Sequence, residues 1–239
     1  MLLFGSNANF SLSGNANFEF ANVEAYPASL HLPLPPPYSH SSLTHNLMPI
    51  LNLNWDRDAE ALRRLDTSFS TEYVYEQTDD QHEEEEEGIG FGAQFRAAPR
   101  VSTFTKAYAI TLTRPEVEHS IVAMAGFADD TLREPISLAV VRYEPWNRSA
   151  ILTDFYVHRP QRSQGHGTML MNAVIQGVLA CKKEHQVHIR HLWLETQNVN
   201  YPAIRFYLNN GFRICGWDAS LYDEPHADET AVFMVKALA

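Results

Sequence analysis

The residues of this chain most suggestive of chemistry are the run Arg162-Ser163-Gln164-Gly165-His166-Gly167-Thr168. Two glycines, one residue apart beside an arginine, mark a place where the backbone turns sharply or approaches something closely. From Thr168 onward apolar residues recur at Leu170, Val174, Val178 and Cys181, the spacing of a helix with one buried face. A glycine loop that opens a helix leaves backbone N–H groups unpaired, with the positive end of the helix dipole behind them. Such a site suits a phosphate or pyrophosphate, although a plain strand-to-helix turn uses glycine in the same way.

The flanking elements favour a built site. Residues 152–157 are apolar, β-branched or aromatic except for Thr153 and Asp154, which fits a mostly buried strand leading into the loop. Residues 192–196 read as a second strand. Asn200 is a good N-cap, Pro202 is tolerated in a first helical turn, and Ala203, Phe206 and Tyr207 share one helix face. Asn210-Gly211 supplies the stop. The order is therefore strand, anion loop, helix, strand, helix.

These residues resemble the GCN5-related N-acetyltransferase superfamily. Its cofactor signature, V-x(4)-[QR]-x-x-G-x-[GA], is matched by Val157, Arg162, Gly165 and Gly167. Its second signature, N-x-x-A-x-x-[FL]-Y-x(3)-G-F, is matched by Asn200, Ala203, Phe206, Tyr207, Gly211 and Phe212. The phrases LETQNVNYPAIRFY, GFRICGWDASLYDE and DETAVFMVKAL are similar to the streptothricin acetyltransferase group, and the resemblance runs from Asn54 to the end.

The resemblance implies an α/β fold, with a mixed central sheet of about six to seven strands splayed between strands 152–157 and 192–196 and flanked by about four helices. It implies transfer of the acetyl group of acetyl-CoA, without a metal, to a primary amine of a small cationic molecule such as a streptothricin-like antibiotic, by direct attack in a ternary complex. The pantetheine arm would add to the strand edge at Phe155 and Val157. Arg162, Ser163, Gln164, Gly165, His166, Gly167 and Thr168 would hold the pyrophosphate. Asn200 would orient the cofactor arm while capping its helix, and Tyr207, facing the cofactor sulfur, would be the general acid. Many family members carry the base at positions matching Ile151 and Thr153, and neither is an acid or a histidine here. Asp154 points to the opposite face if the strand alternates regularly. Glu195 matches the base of enzymes resembling the ribosomal-protein alanine acetyltransferases, and a structural carboxylate is its other reading. Two functions compete with the first: a protein N-terminal or lysine acetyltransferase, and a degenerate acyl-CoA-binding sensor.

A length of 239 residues is ample for one ordinary core and marginal for two. We expect an acetyltransferase domain over residues 48–239 preceded by a separate segment. Residues 1–47 hold no Lys or Arg, repeat Asn-Ala-Asn-Phe and pass through a proline-rich stretch, a composition that favours disorder; a start at Met48 is an alternative. The net charge of −11 argues against nucleic acid and anionic membranes and is compatible with a cationic substrate. No apolar run is long enough to cross a membrane. A cytoplasmic protein, monomer or homodimer, is expected, with Cys181 and Cys215 as buried thiols.

Elsewhere a short helix is expected after Asn54, a strand at residues 72–75, and an acidic solvated loop at Glu83 to Glu87. Residues 91–112 read as a strand or an irregular arm. Residues 115–127 fit a helix, with Val117, Ile121 and Met124 on one face. Residues 136–143 form a strand that pairs antiparallel with the central one, and residues 213–217 pair with 231–236. His185, His188 and His191 are expected to face solvent rather than a metal, as is the His226 to Glu229 run.

Overall fold

Residues 48–79 and 93–238 are described in the computed structural model; the first 47 residues and the acidic run lie outside them. Ile50–Asn52 forms the short strand β1. Trp55–Leu62 is helix α1, whose N-cap Asn54 accepts the Arg57 N–H at 3.0 Å, with Asp56 and Asp58 at the positive end of the dipole. Phe69–Asp79 (β2) and Ala93–Lys106 (β3) pair antiparallel as a sheet of their own. The stretch that read as strand or arm therefore contains a long strand.

The helix expected over residues 115–127 is not formed. Its first turn exists as Arg114–Glu118 (α2), where the Glu116 carboxylate accepts the Thr113 N–H at 2.8 Å. Val122–Phe127 is instead strand β4, between β1 and the strand Pro135–Glu144 (β5). A strand covered on both faces is apolar almost throughout, so it has no period of two to tell it from a helix.

Ser149–Val157 (β6) follows a short turn, then a 3-10 turn at Arg159–Gln161 leads to helix α3, His166–Glu184. His191–Gln197 (β7), helix α4 at Tyr201–Asn209, Arg213–Asp218 (β8) and Ala231–Ala237 (β9) complete the order. α4 is capped by Asn200, which accepts the Ala203 N–H at 3.2 Å. Among the described residues the main sheet has 7 strands in the order β1-β4-β5-β6-β7-β9-β8. Every neighbouring pair is antiparallel except β6 and β7.

β5 shows how the sheet is held. Ala139 and Val141 pack with Leu170, Met171 and Val174 of α3, whereas Leu138 and Val140 join Leu62, Ile110 and Leu112 on the other face. β6 and β7 keep register only at Ser149↔His191, Ala150↔Leu192 and Ile151↔Trp193. Beyond Ile151 they part, while β6 stays bonded to β5 as far as Val157↔Ser137. The expected splay is present, and it leaves one edge of β6 open.

Cys181 is buried, but Cys215 is exposed: it lies on β8, the last strand of the sheet. No helix among the described residues is long and apolar enough to cross a membrane.

Candidate active site

The opening between β6 and β7 is a cleft of about 450 Å³ lined by Phe155 and Val157 on one side and Asn200 and Tyr207 on the other, with the start of α3 at one end. Gly165 caps α3 with φ 86°, a left-handed conformation that costs a side-chain-bearing residue energy. The first backbone bond there is from Met169 N to Gly165 O, so the N–H groups of residues 166–168 have no acceptor within the helix. Gly167 meets a different need: a Cβ would stand 3.0 Å from the Phe206 ring, which stacks on Phe155 at 5.4 Å. One glycine supplies conformation and the other clearance.

The loop side chains divide. Ser163 and Thr168 line the cleft. Arg162 also borders it, but Nε donates to Val157 O at 2.8 Å and Nη1 to Ser68 O at 2.6 Å, so its guanidinium braces the loop. Burial lowers the Arg162 pKa from a value so high that the charge stays. Gln164 Nε2 donates to Pro160 O at 3.0 Å, and His166 Nδ1 donates to Gln161 O at 3.0 Å. Neither Gln164 nor His166 lines the cleft.

Tyr207 is 8% exposed and packs edge-on to Phe155 and Phe212. Burial, and then the Asp154 carboxylate, push its phenol above the ordinary value. Glu195 is 4% exposed and does not line the cleft. The Tyr222 hydroxyl donates to its Oε1, while its Oε2 is buried without a partner. Burial raises the Glu195 pKa, and the bond from Tyr222 opposes that rise.

The position of Asp154 corrects the regular alternation assumed for β6. The register passes from Val141↔Leu152 to Val140↔Asp154, so Thr153 is an extra residue, its hydroxyl 3.3 Å from Val140 O. Before this bulge Ala150 and Leu152 face α3; after it Phe155 does, and Tyr156 joins the opposite core. Asp154 thereby comes to the face of Tyr156.

Sequence reasoning also missed Tyr108, Tyr156 and Thr196, which line the cleft, and Tyr222, which holds Glu195. Tyr108 donates to Gln197 Oε1 at 2.6 Å. It follows β3 in a stretch without helical or strand period, and Tyr222 comes from a loop, so neither had a local signal.

Of the three histidines, only His188 is exposed; His185 and His191 are partly buried. No group of three or more metal-capable side chains occurs among the described residues. In the run ending at Glu229, Ala227 and Asp228 are exposed and His226 is partly buried, but Glu229 is not solvent-facing. Glu229 is 4% exposed because Lys106 reaches it from β3, with Nζ 2.6 Å from Oε2.

An open strand edge beside a helix start with free N–H groups suits an extended arm that ends in a pyrophosphate, which is the shape of coenzyme A. The model of the acetyltransferase (GNAT) family matches residues 63–212, and the chain belongs to that family. It is an acetyl-CoA-dependent N-acetyltransferase. It is 31% identical over 185 residues to the streptothricin acetyltransferase of Streptomyces lavendulae, spanning 74% of this chain and 88% of that one. The streptothricin acetyltransferase A of Bacillus subtilis is 37% identical over 89 residues, 37% of this chain and 48% of its own. Among solved structures, nourseothricin acetyltransferase superposes with a TM-score of 0.64 at 30% identity, covering 80% of this chain and 98% of its own. A Bacillus anthracis protein solved in complex with acetyl coenzyme A shares the fold, with a TM-score of 0.61 at 21% identity, over 80% of this chain and 99% of that one.

Proposed function

We propose that the chain acetylates a primary amine of a small cationic molecule, with a streptothricin-like antibiotic as the leading candidate, by direct attack in a ternary complex, and that residues 48–239 form the catalytic domain. The observation that carries this reading is the unpaired edge of β6, which lies between the glycine-capped start of α3 and Tyr207 of α4. Similarity to acetyltransferases named for streptothricin and nourseothricin supports the acceptor class, and a net charge of −11 suits a cationic acceptor.

In this reading the backbone of Phe155 and Val157 holds the pantetheine arm, and Asn200 orients it. The N–H groups of residues 166–168, with Ser163 and Thr168, hold the pyrophosphate in the field of Arg162. Glu195, which stands behind the cleft lining, takes a proton from the acceptor ammonium by way of an intervening water at its unpartnered Oε2. The neutral amine then forms the C–N bond at the thioester carbonyl, the C–S bond breaks, Tyr207 gives its proton to the sulfur, and the proton the nitrogen sheds as it becomes an amide restores the Tyr207 phenol.

The test is thiol release from acetyl-CoA by the full chain against streptothricin, lysine, a polyamine and a basic peptide. Release with streptothricin or another small amine is expected. Release with the peptide alone would replace this reading with a protein acetyltransferase, and silence despite measurable acetyl-CoA binding would leave a non-catalytic binder.

A further inference from the structure

The cleft has a second face, opposite α3, that the cofactor reading does not use. Tyr156 lies there: it lines the cleft, is 7% exposed, and its hydroxyl has no hydrogen-bond partner among the described residues. Tyr108 and Tyr207 line the same cleft. The bulge at Thr153 brings Asp154 to the β6 face of Tyr156, two residues before it and just behind the cleft lining. Asp154 takes part in none of the ion pairs among the described residues. Burial raises its pKa, and the Thr153 hydroxyl is among the groups that oppose that rise.

A half-buried carboxylate with no ion pair among the described residues, two residues from an unsatisfied phenol on the same face, is well placed for a cationic ligand to complete. An ammonium would do so. It offers donors to the carboxylate and to the phenol oxygen, and tyrosine ring faces attract cations. A neutral or anionic ligand would offer the carboxylate no ion pair.

We propose that Asp154 is the counter-charge of the acceptor's ammonium, which the Tyr156 hydroxyl and the Tyr108 ring receive in the cleft in front of it, on the face of β6 opposite α3. The proposal rests on the reading that the chain acetylates a primary amine, and names the residue that recognises it. Asp154 takes no proton in the reaction: the ammonium arrives in its field and loses its proton to Glu195 before the C–N bond forms. Asp154 thus acts on acceptor affinity, as the tyrosines around it act on orientation.

The experiment is steady-state kinetics on the full chain with whichever amine of the panel the wild type turns over, streptothricin first, comparing wild type with Asp154→Asn and Asp154→Glu. Asp154→Asn should raise the KM for the amine about tenfold or more. Its acetyl-CoA affinity by calorimetry should stay within about twofold, which also shows that the variant is folded. Asp154→Glu should recover part of the loss, because charge rather than shape is what the amine needs. An unchanged amine KM in Asp154→Asn would overturn the proposal, and so would an equal loss of amine and acetyl-CoA affinity, the mark of a structural role. If the wild type turned over no amine, the acceptor reading itself would fall before any variant was made, and the role of Asp154 with it.

Discussion

Tyr207 is enclosed by Phe155, Phe206 and Phe212, yet it reaches the cleft. A phenol whose pKa is raised by burial keeps its proton at neutral pH and can give it only to a stronger base, such as a departing thiolate held against it. Tyr207→Phe keeps the ring and its packing. It should leave acetyl-CoA affinity unchanged while lowering turnover roughly 100-fold, and unchanged turnover would remove the hydroxyl from the mechanism. Glu195 gives a pH test. As a base it must be ionised, so turnover falls as pH drops through its folded-state pKa, and burial places that fall above the range of an ordinary glutamate. The Tyr222 hydroxyl favours the ionised form. Tyr222→Phe should therefore move the acidic limb of the kcat profile to higher pH. A limb that stays in place would separate the pair from catalysis.

At the scale of elements, the start of α3 and the splay of β6 from β7 do the positioning. Gly165 adopts φ 86° with open space around its Cβ position, so a substitution there is penalised by backbone conformation and not by collision. A β-branched residue in that conformation costs at least about 1–2 kcal/mol, which the loop relieves by changing shape. Gly165→Val should weaken acetyl-CoA binding about tenfold or more in calorimetry; retained affinity would mean that the loop is only a turn. α3 and α4 were legible in the sequence because their signals are local: Gly165, Asn200 and Gly211 mark their ends. β4 was not legible, because Val122 to Phe127 is covered on both faces and lacks a period. The bulge at Thr153 was not legible either. It exists as a mismatch between two strands, so Asp154 was assigned to the wrong face.

Across the whole molecule, segments far apart in sequence enclose the cleft. Tyr75 N donates to Asn198 O at 3.0 Å and the Asn198 side chain donates back to Tyr75 O at 3.1 Å, which docks β2 on the turn after β7. Lys106, at the end of β3, pairs with Glu229 ahead of β9, and its Nζ lies 5.3 Å from the Tyr108 ring centre. Such pairings carry no signature in a single chain, which is why Tyr108, Tyr222 and Glu229 were missed or misread. Lys106→Met would leave Glu229 buried beside His226 alone. We expect a loss of about 3 kcal/mol and a fall in Tm of roughly 6–12 °C, read by calorimetry. A change within about 1 °C would show that the pair contributes no net stability. Where acetyl-CoA lies is tested directly by amide hydrogen exchange of the full chain with and without it. Slowed exchange concentrated in residues 153–157 of β6 and 163–168 of the α3 loop is the expected result. Slowing elsewhere, with those two segments unchanged, would contradict it.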